Sequence, residues 1–176
     1  MKKRQSSLRS TFDTALKPAS GRLTDAAKNG DLAAVRSLLR RGASVNTMSP
    51  QGNTPLILAV WHGHTEIVRL LIEKGADLNK KSASGATALL AAVRYSRTEI
   101  VRLLIDKGAA LDEKTPQGTT ALALALKQAN PEVIRMLQEA ADIRQQQAEK
   151  STQALKRQRL KELAQQQHKP KLGPAP

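Results

Sequence analysis

The feature that most constrains this chain is a repeat of 33 residues. Gly52, Gly85 and Gly118 stand 33 residues apart, and so do Gly42, Gly75 and Gly108. Residues 53–85 laid over 86–118 agree at 18 of 33 positions. The block from Thr65 to Ile72 recurs unbroken from Thr98 to Ile105. Self-similarity at such a period marks a chain assembled from copies of one supersecondary unit, each too small to bury its apolar face alone.

Within one unit the residues read helix, turn, helix, loop. Thr54 precedes Pro55 and an apolar run. A Thr hydroxyl accepts from free first-turn amides, and Pro is tolerated at the first helical position. That helix runs to about Trp61, where Gly63 permits the left-handed backbone that ends it. The second helix begins near Thr65, with Glu66 in its first turn against the positive helix end. Ile67, Val68, Leu70, Leu71 and Ile72 leave it little polar surface, so it needs cover on more than one side. Stacked neighbours supply that cover. Gly75 stops the helix, and residues 76–86 are expected to form an extended loop.

Composition agrees with stacked helices. With one Trp, one Tyr and one Phe in 176 residues, the core must be built from short aliphatic side chains. The absence of Cys excludes disulfides and thiolate metal ligands. The net charge of +14 is unevenly placed: +5 over residues 1–22, +3 over 23–142 and +6 over 143–176. No apolar run approaches the length that spans a bilayer. Met1-Lys2-Lys3-Arg4 is followed by polar residues where a secretion signal needs an apolar stretch. A cytoplasmic location is expected, with a transit peptide in residues 1–20 or a nuclear address in the basic tail as alternatives.

The repeat resembles the ankyrin family over residues 22–142. The family's opening Thr-Pro-Leu-His reads Thr54-Pro55-Leu56-Ile57, Thr87-Ala88-Leu89-Leu90 and Thr120-Ala121-Leu122-Ala123. Its Gly-His before the second helix reads Gly63-His64, then Ser96-Arg97. Its Gly-Ala-Asp-Val-Asn reads Gly42-Ala43-Ser44-Val45-Asn46 and Gly75-Ala76-Asp77-Leu78-Asn79. The resemblance implies an all-α helical solenoid with units at 22–52, 53–85, 86–118 and 119–142. The outer two diverge as terminal caps do.

The ends read differently. Ala141 stands where a helix-stopping Gly is expected, so the last helix should extend through Ile143 toward Gln167 as a basic tail, residues 143–168. Residues 169–176 hold Pro170, Gly173, Pro174 and Pro176 and are expected to be disordered. In the N-terminal arm, residues 1–21, Leu8, Phe12, Ala15 and Leu16 fall at helical spacing. They suit a cap over the first unit, or a membrane-surface or targeting helix.

The sequence offers no catalytic constellation. His62 and His64 form a pair without an evident third ligand, and structural zinc normally takes four. No Gly-rich loop precedes a Lys in Walker fashion, and nothing pairs a nucleophile with a base. Neither enzyme activity, cofactor, metal nor small-molecule substrate is expected.

The resemblance implies instead a partner protein lying in the concave face. By register that face presents Lys28, Trp61, Arg94 and Lys127, with Asn29, His62, Tyr95 and Gln128 beside them. The loop tips add Met48, Gln51, Lys81, Ser84, Lys114 and Gln117. Trp61 and Tyr95 suit either interface anchors or packing between units. The expected function is a non-catalytic adaptor binding an acidic or mixed protein segment. The alternative is a binder of nucleic acid or acidic lipid through the basic ends, with Lys156, Arg157, Arg159 and Lys161 as the tail cluster.

Overall fold

A computed structural model describes residues 19–167. The helix expected around Leu8, Phe12, Ala15 and Leu16 and the disordered end expected at 169–176 lie outside the described residues. Among the described residues every regular element is a helix. In chain order they are α1 (Ala19–Asn29), α2 (Leu32–Arg40), α3 (Pro55–His62), α4 (Thr65–Glu73), α5 (Ala88–Arg94), α6 (Thr98–Asp106), α7 (Ala121–Lys127) and α8 (Pro131–Gln167).

The expected Thr caps are present. Thr54, Thr87 and Thr120 each accept, through Oγ1, the backbone N–H three residues on, at 3.2, 3.3 and 3.2 Å. Gly63 follows α3 at φ 74°, the left-handed stop read from the sequence. The next two units keep that backbone without Gly: Ser96 has φ 52° and Ala129 φ 51°. The same two helix-ending backbone bonds found at Gly63 recur at both sites and hold a conformation that these two side chains disfavour.

Within the compact unit that ends at Leu137, helices pair and the pairs stack. Equivalent residues fill equivalent places: Leu56 and Leu89, Ile57 and Leu90, Ile67 and Ile100, Leu71 and Leu104 are all fully buried. The apolar core is continuous from Leu23 in α1 to Leu137 in α8. The first helices of the pairs pack more closely on each other than the second helices do, so the row α1, α3, α5, α7 forms the inner side of the stack.

The inter-unit segments are turns more than extended loops. Ser49 N–H donates to Asn53 O at 2.8 Å, Ser82 N–H to Ala86 O at 2.9 Å and Thr115 N–H to Thr119 O at 3.0 Å. Side chains then tie each segment to the next. Asn46 Oδ1 accepts from the Asp77 amide, and Asn79 Oδ1 accepts from the Ala110 amide, each at 2.8 Å. These bonds satisfy amides that the turns leave without a helical or strand partner.

The second compact unit begins at Gln138. Helix α8 has 37 residues and continues through Ala141, as the missing Gly implies. From Gln145 to Leu163 its side chains are exposed. They include Leu155, Leu160 and Leu163 as well as the cluster Lys156, Arg157, Arg159 and Lys161.

Candidate partner-binding groove

Lys28, Trp61, Arg94 and Lys127 stand at or near the C-terminal ends of the inner helices. A carbonyl at the same step of each unit accepts from a side chain of the next. His64 Nε2 lies 3.0 Å from Lys28 O, Arg97 donates to Trp61 O at 3.2 Å, and Gln128 Nε2 donates to Arg94 O at 2.8 Å. Three different side chains thus perform one task. The bond fixes Lys28, Trp61 and Arg94 in the same relation to the unit that follows.

Lys28, Arg94 and Lys127 are exposed along this row, and none joins an ion pair among the described residues. Three other basic residues that bridge units are neutralised by carboxylates. Arg69 meets Glu99 at 3.0 Å, Arg102 meets Glu132 at 3.2 Å, and Lys81 meets Glu113 at 2.8 Å. The inner cations therefore keep their charge available to a ligand, while Lys81 shares its own with a carboxylate.

Between Lys28 and Arg94 sit the rings. Trp61 is half-buried and packs on the core, whereas Tyr95 is 47% exposed. Their centroids lie 6.3 Å apart with planes tilted by 52°, within the range of favourable aromatic pairs. Trp61 also borders a cavity of about 580 Å³ shared with Asp25, Lys28, Leu58, His62 and the loop residues Ser49, Gln51 and Asn53. The floor offers apolar Leu58 and indole, and the rim offers charge and amides. Such a mixture characterises sites that bind and orient a ligand.

A family model for ankyrin repeats (3 copies) matches residues 22–82 and 79–147. The chain is an ankyrin repeat protein. No curated protein matches it. Ankyrin repeats are typically protein–protein interaction modules and generally non-catalytic. Among the described residues of this ankyrin repeat protein, no group of three or more His, Cys, Asp or Glu could hold a metal ion. No described helix is long and apolar enough to cross a membrane.

The two ladders and the loop tips do not all meet. Lys28, Gln51, Trp61 and His62 surround one cavity. Asn29 and Lys28 border another, of about 600 Å³, along α1 and α2 with Arg22, Asp31 and Leu38. Met48, Lys114 and Gln117 are exposed, and Ser84 Oγ is 2.8 Å from Ser82 Oγ. Gln128 is held by its bond to Arg94 O.

His62 stacks on His64, with centroids 5.9 Å apart and planes 15° from parallel. Partial desolvation of the ring, then the neighbouring His64, Lys28 and Arg97, hold the pKa of His62 below its ordinary value. Two contributors escaped the sequence reading. Leu58 lies in the apolar run after Pro55, where nothing in the sequence sets it apart, yet it reaches the cavity wall. Arg97 was read as a departure from the family's His, yet it reaches the same carbonyl step as His64. For Arg97 the signal lay in the 33-residue register, which places His64 and Arg97 at equivalent positions.

Proposed function

We propose that this ankyrin repeat protein is a non-catalytic adaptor that takes an acidic segment of a partner protein along its inner face. The observation that carries the reading is a row of exposed, unpaired cations beside an aromatic pair. Cations on the inner row are unpaired and flank an aromatic pair, while Arg69, Arg102 and Lys81 are neutralised by carboxylates of the following unit. Aromatic and Arg side chains at the centre of an interface can each contribute about 2 kcal/mol or more, and rim residues contribute little. Arg94 and Tyr95 would be anchors, with Lys28 and Lys127 steering an acidic partner toward the face.

Arg94→Ala and Tyr95→Ala should each weaken a captured partner about tenfold or more, the loss of roughly 1.4 kcal/mol, with the helical circular dichroism unchanged. Glu73→Ala, on α4, should leave affinity unchanged. Isothermal titration of each variant with the partner measures this. An affinity that ignores Arg94 and Tyr95 but follows the tail charges refutes the groove.

A second reading rests on the tail. Lys156, Arg157, Arg159 and Lys161 fall within six residues, are exposed, and join no ion pair among the described residues. A cluster of that kind attracts polyanions with strong salt dependence and little selectivity. It would raise the local concentration of nucleic acid or acidic lipid without specifying a partner.

A further inference from the structure

The inner row constrains more than the charge of its ligand. Lys28, Trp61 and Arg94 stand at one step of three successive units, tied to the following units by the bonds from His64, Arg97 and Gln128. Lys127 stands at the same step of the next unit. Packed helices lie roughly 8–10 Å apart, so this row is a ruler with marks at about that spacing. An extended chain of polyproline II form advances about 3.1 Å per residue with three residues per turn, so it covers one mark in about three residues and returns its side chains to the same face. A helix advances about 1.5 Å per residue and needs about five to seven.

The rim decides between these two ligand conformations. The cavity beside Trp61 presents Ser49, Gln51 and Asn53, and the later loops expose Ser84 and Gln117. These neutral hydroxyls and amides both donate and accept hydrogen bonds. An extended chain brings unpaired N–H and C=O groups along its whole length to meet them. The middle of a helix brings none, because its backbone groups bond within the helix. These neutral groups, set among the exposed Lys81 and Lys114 of the same loops, match an extended backbone, and the charged ladder matches its side chains.

We infer that the inner face reads an extended peptide segment with the pattern acid-X-X-aromatic-X-X-acid-X-X-acid. The three acids meet Lys28, Arg94 and Lys127, and the aromatic or large apolar residue meets Trp61 and Tyr95. Chain polarity is open in this pattern, and the reversed order is the same ruler read from the other end. The inference rests on the groove reading and adds its spacing rule. The unequal gap in the acids follows from the sequence of this chain alone, since Trp61 replaces a cation at the second mark.

Four fluorescein-labelled peptides, each with three Asp and one Tyr, test it on the full chain, by fluorescence anisotropy at physiological salt. One carries the pattern Asp-X-X-Tyr-X-X-Asp-X-X-Asp and one its reverse. One carries the same acids in a single block. One places the acids on a stabilised helix at seven-residue spacing. The better of the two patterned peptides should bind at least tenfold more tightly than the block or helical peptide. Arg94→Gln should abolish that advantage, whereas neutralising Lys156, Arg157, Arg159 and Lys161 should lower all affinities and keep it. Equal affinity of patterned and block peptides, each still sensitive to Arg94→Gln and Tyr95→Ala, overturns the spacing rule and leaves the groove. Preference for the helical peptide overturns the extended conformation. Binding that ignores Arg94 and Tyr95, or no binding by any peptide, overturns both.

Discussion

Ser96→Gly together with Ala129→Gly should stabilise the repeat block, although the substitutions remove atoms and add no contact. Ser96 and Ala129 hold φ near +50°, at the step where Gly30 and Gly63 occupy the same region at +78° and +74°. An L-residue there costs roughly 1–2 kcal/mol relative to right-handed backbone. Replacing it with Gly removes most of that cost but returns about 0.5–1 kcal/mol as greater entropy of the unfolded chain. The net expectation is about 0.5–1 kcal/mol per site. The sites lie in different units and share no bond, so the pair should give about 1–2 kcal/mol. For a block of this size that is a rise in Tm of about 3–8 °C by differential scanning calorimetry. The reverse change supplies the control. A Cβ at Gly63 would lie 2.9 Å from the guanidinium carbon of Arg97, and one at Gly30 would lie 2.8 Å from His64 Cε1. Gly63→Ala should therefore lower Tm and disturb the Arg97 bond to Trp61 O as well. An unchanged or lower Tm in the Ser96, Ala129 double variant would show that their backbone is not strained, and the argument from φ would fail.

Leu71→Ala or Leu104→Ala, each truncating a fully buried side chain, should cost about 2–5 kcal/mol in urea unfolding. A loss below about half a kcal/mol would contradict their place in the core. Folding lowers the pKa of His62, so the folded chain binds fewer protons than the unfolded chain as pH falls through the ordinary imidazole range near 6.5. Stability should decline from there down to the lowered folded value. His62→Gln should remove that part of the slope, and an unchanged slope would assign it to other groups. Changing Lys156, Arg157, Arg159 and Lys161 to Gln should leave Tm within about 2 °C and sharply reduce salt-sensitive retention on heparin; unaltered retention would remove the tail from polyanion binding.

How much of this was legible in the sequence follows from where the repeat is exact. The register shared by Thr54–Ile72 and Thr87–Ile105 marked the helix pair, its buried residues and its Thr caps, because those depend on periodicity and local hydrogen bonding. The long α8 was legible from one substitution, Ala141 in place of Gly. The turns at the loop tips were not, since their backbone bonds leave no apolar pattern. Nor was the persistence of left-handed backbone at Ser96 and Ala129, where helix-ending backbone bonds override residue preference. In the groove, register located Trp61 and Arg94. It could not tell which cations a carboxylate of the next unit would reach, because that depends on side-chain direction across a stacked interface. Lys81, expected to face a partner, is engaged by Glu113 in this way.

That difference gives the two kinds of basic residue different work. The pairs Arg69–Glu99 and Arg102–Glu132 are exposed, and exposed ion pairs add at most about 1 kcal/mol each. Their larger effect is to leave little net positive charge on the outer helices at those steps. On the inner row the same stacking contact is made by His64, Arg97 and Gln128 to backbone carbonyls, which consumes no carboxylate. A carboxylate there would have joined the units equally well while neutralising Lys28 or Arg94. Bonding to carbonyls instead holds the units in register and leaves the ladder charged. A rigid, charged row also lowers the entropy lost when a flexible segment settles onto it, since the receptor side is already ordered. Stacking and recognition thus draw on the same positions, with the backbone serving the first and the side chains of Lys28, Trp61, Arg94 and Lys127 available for the second.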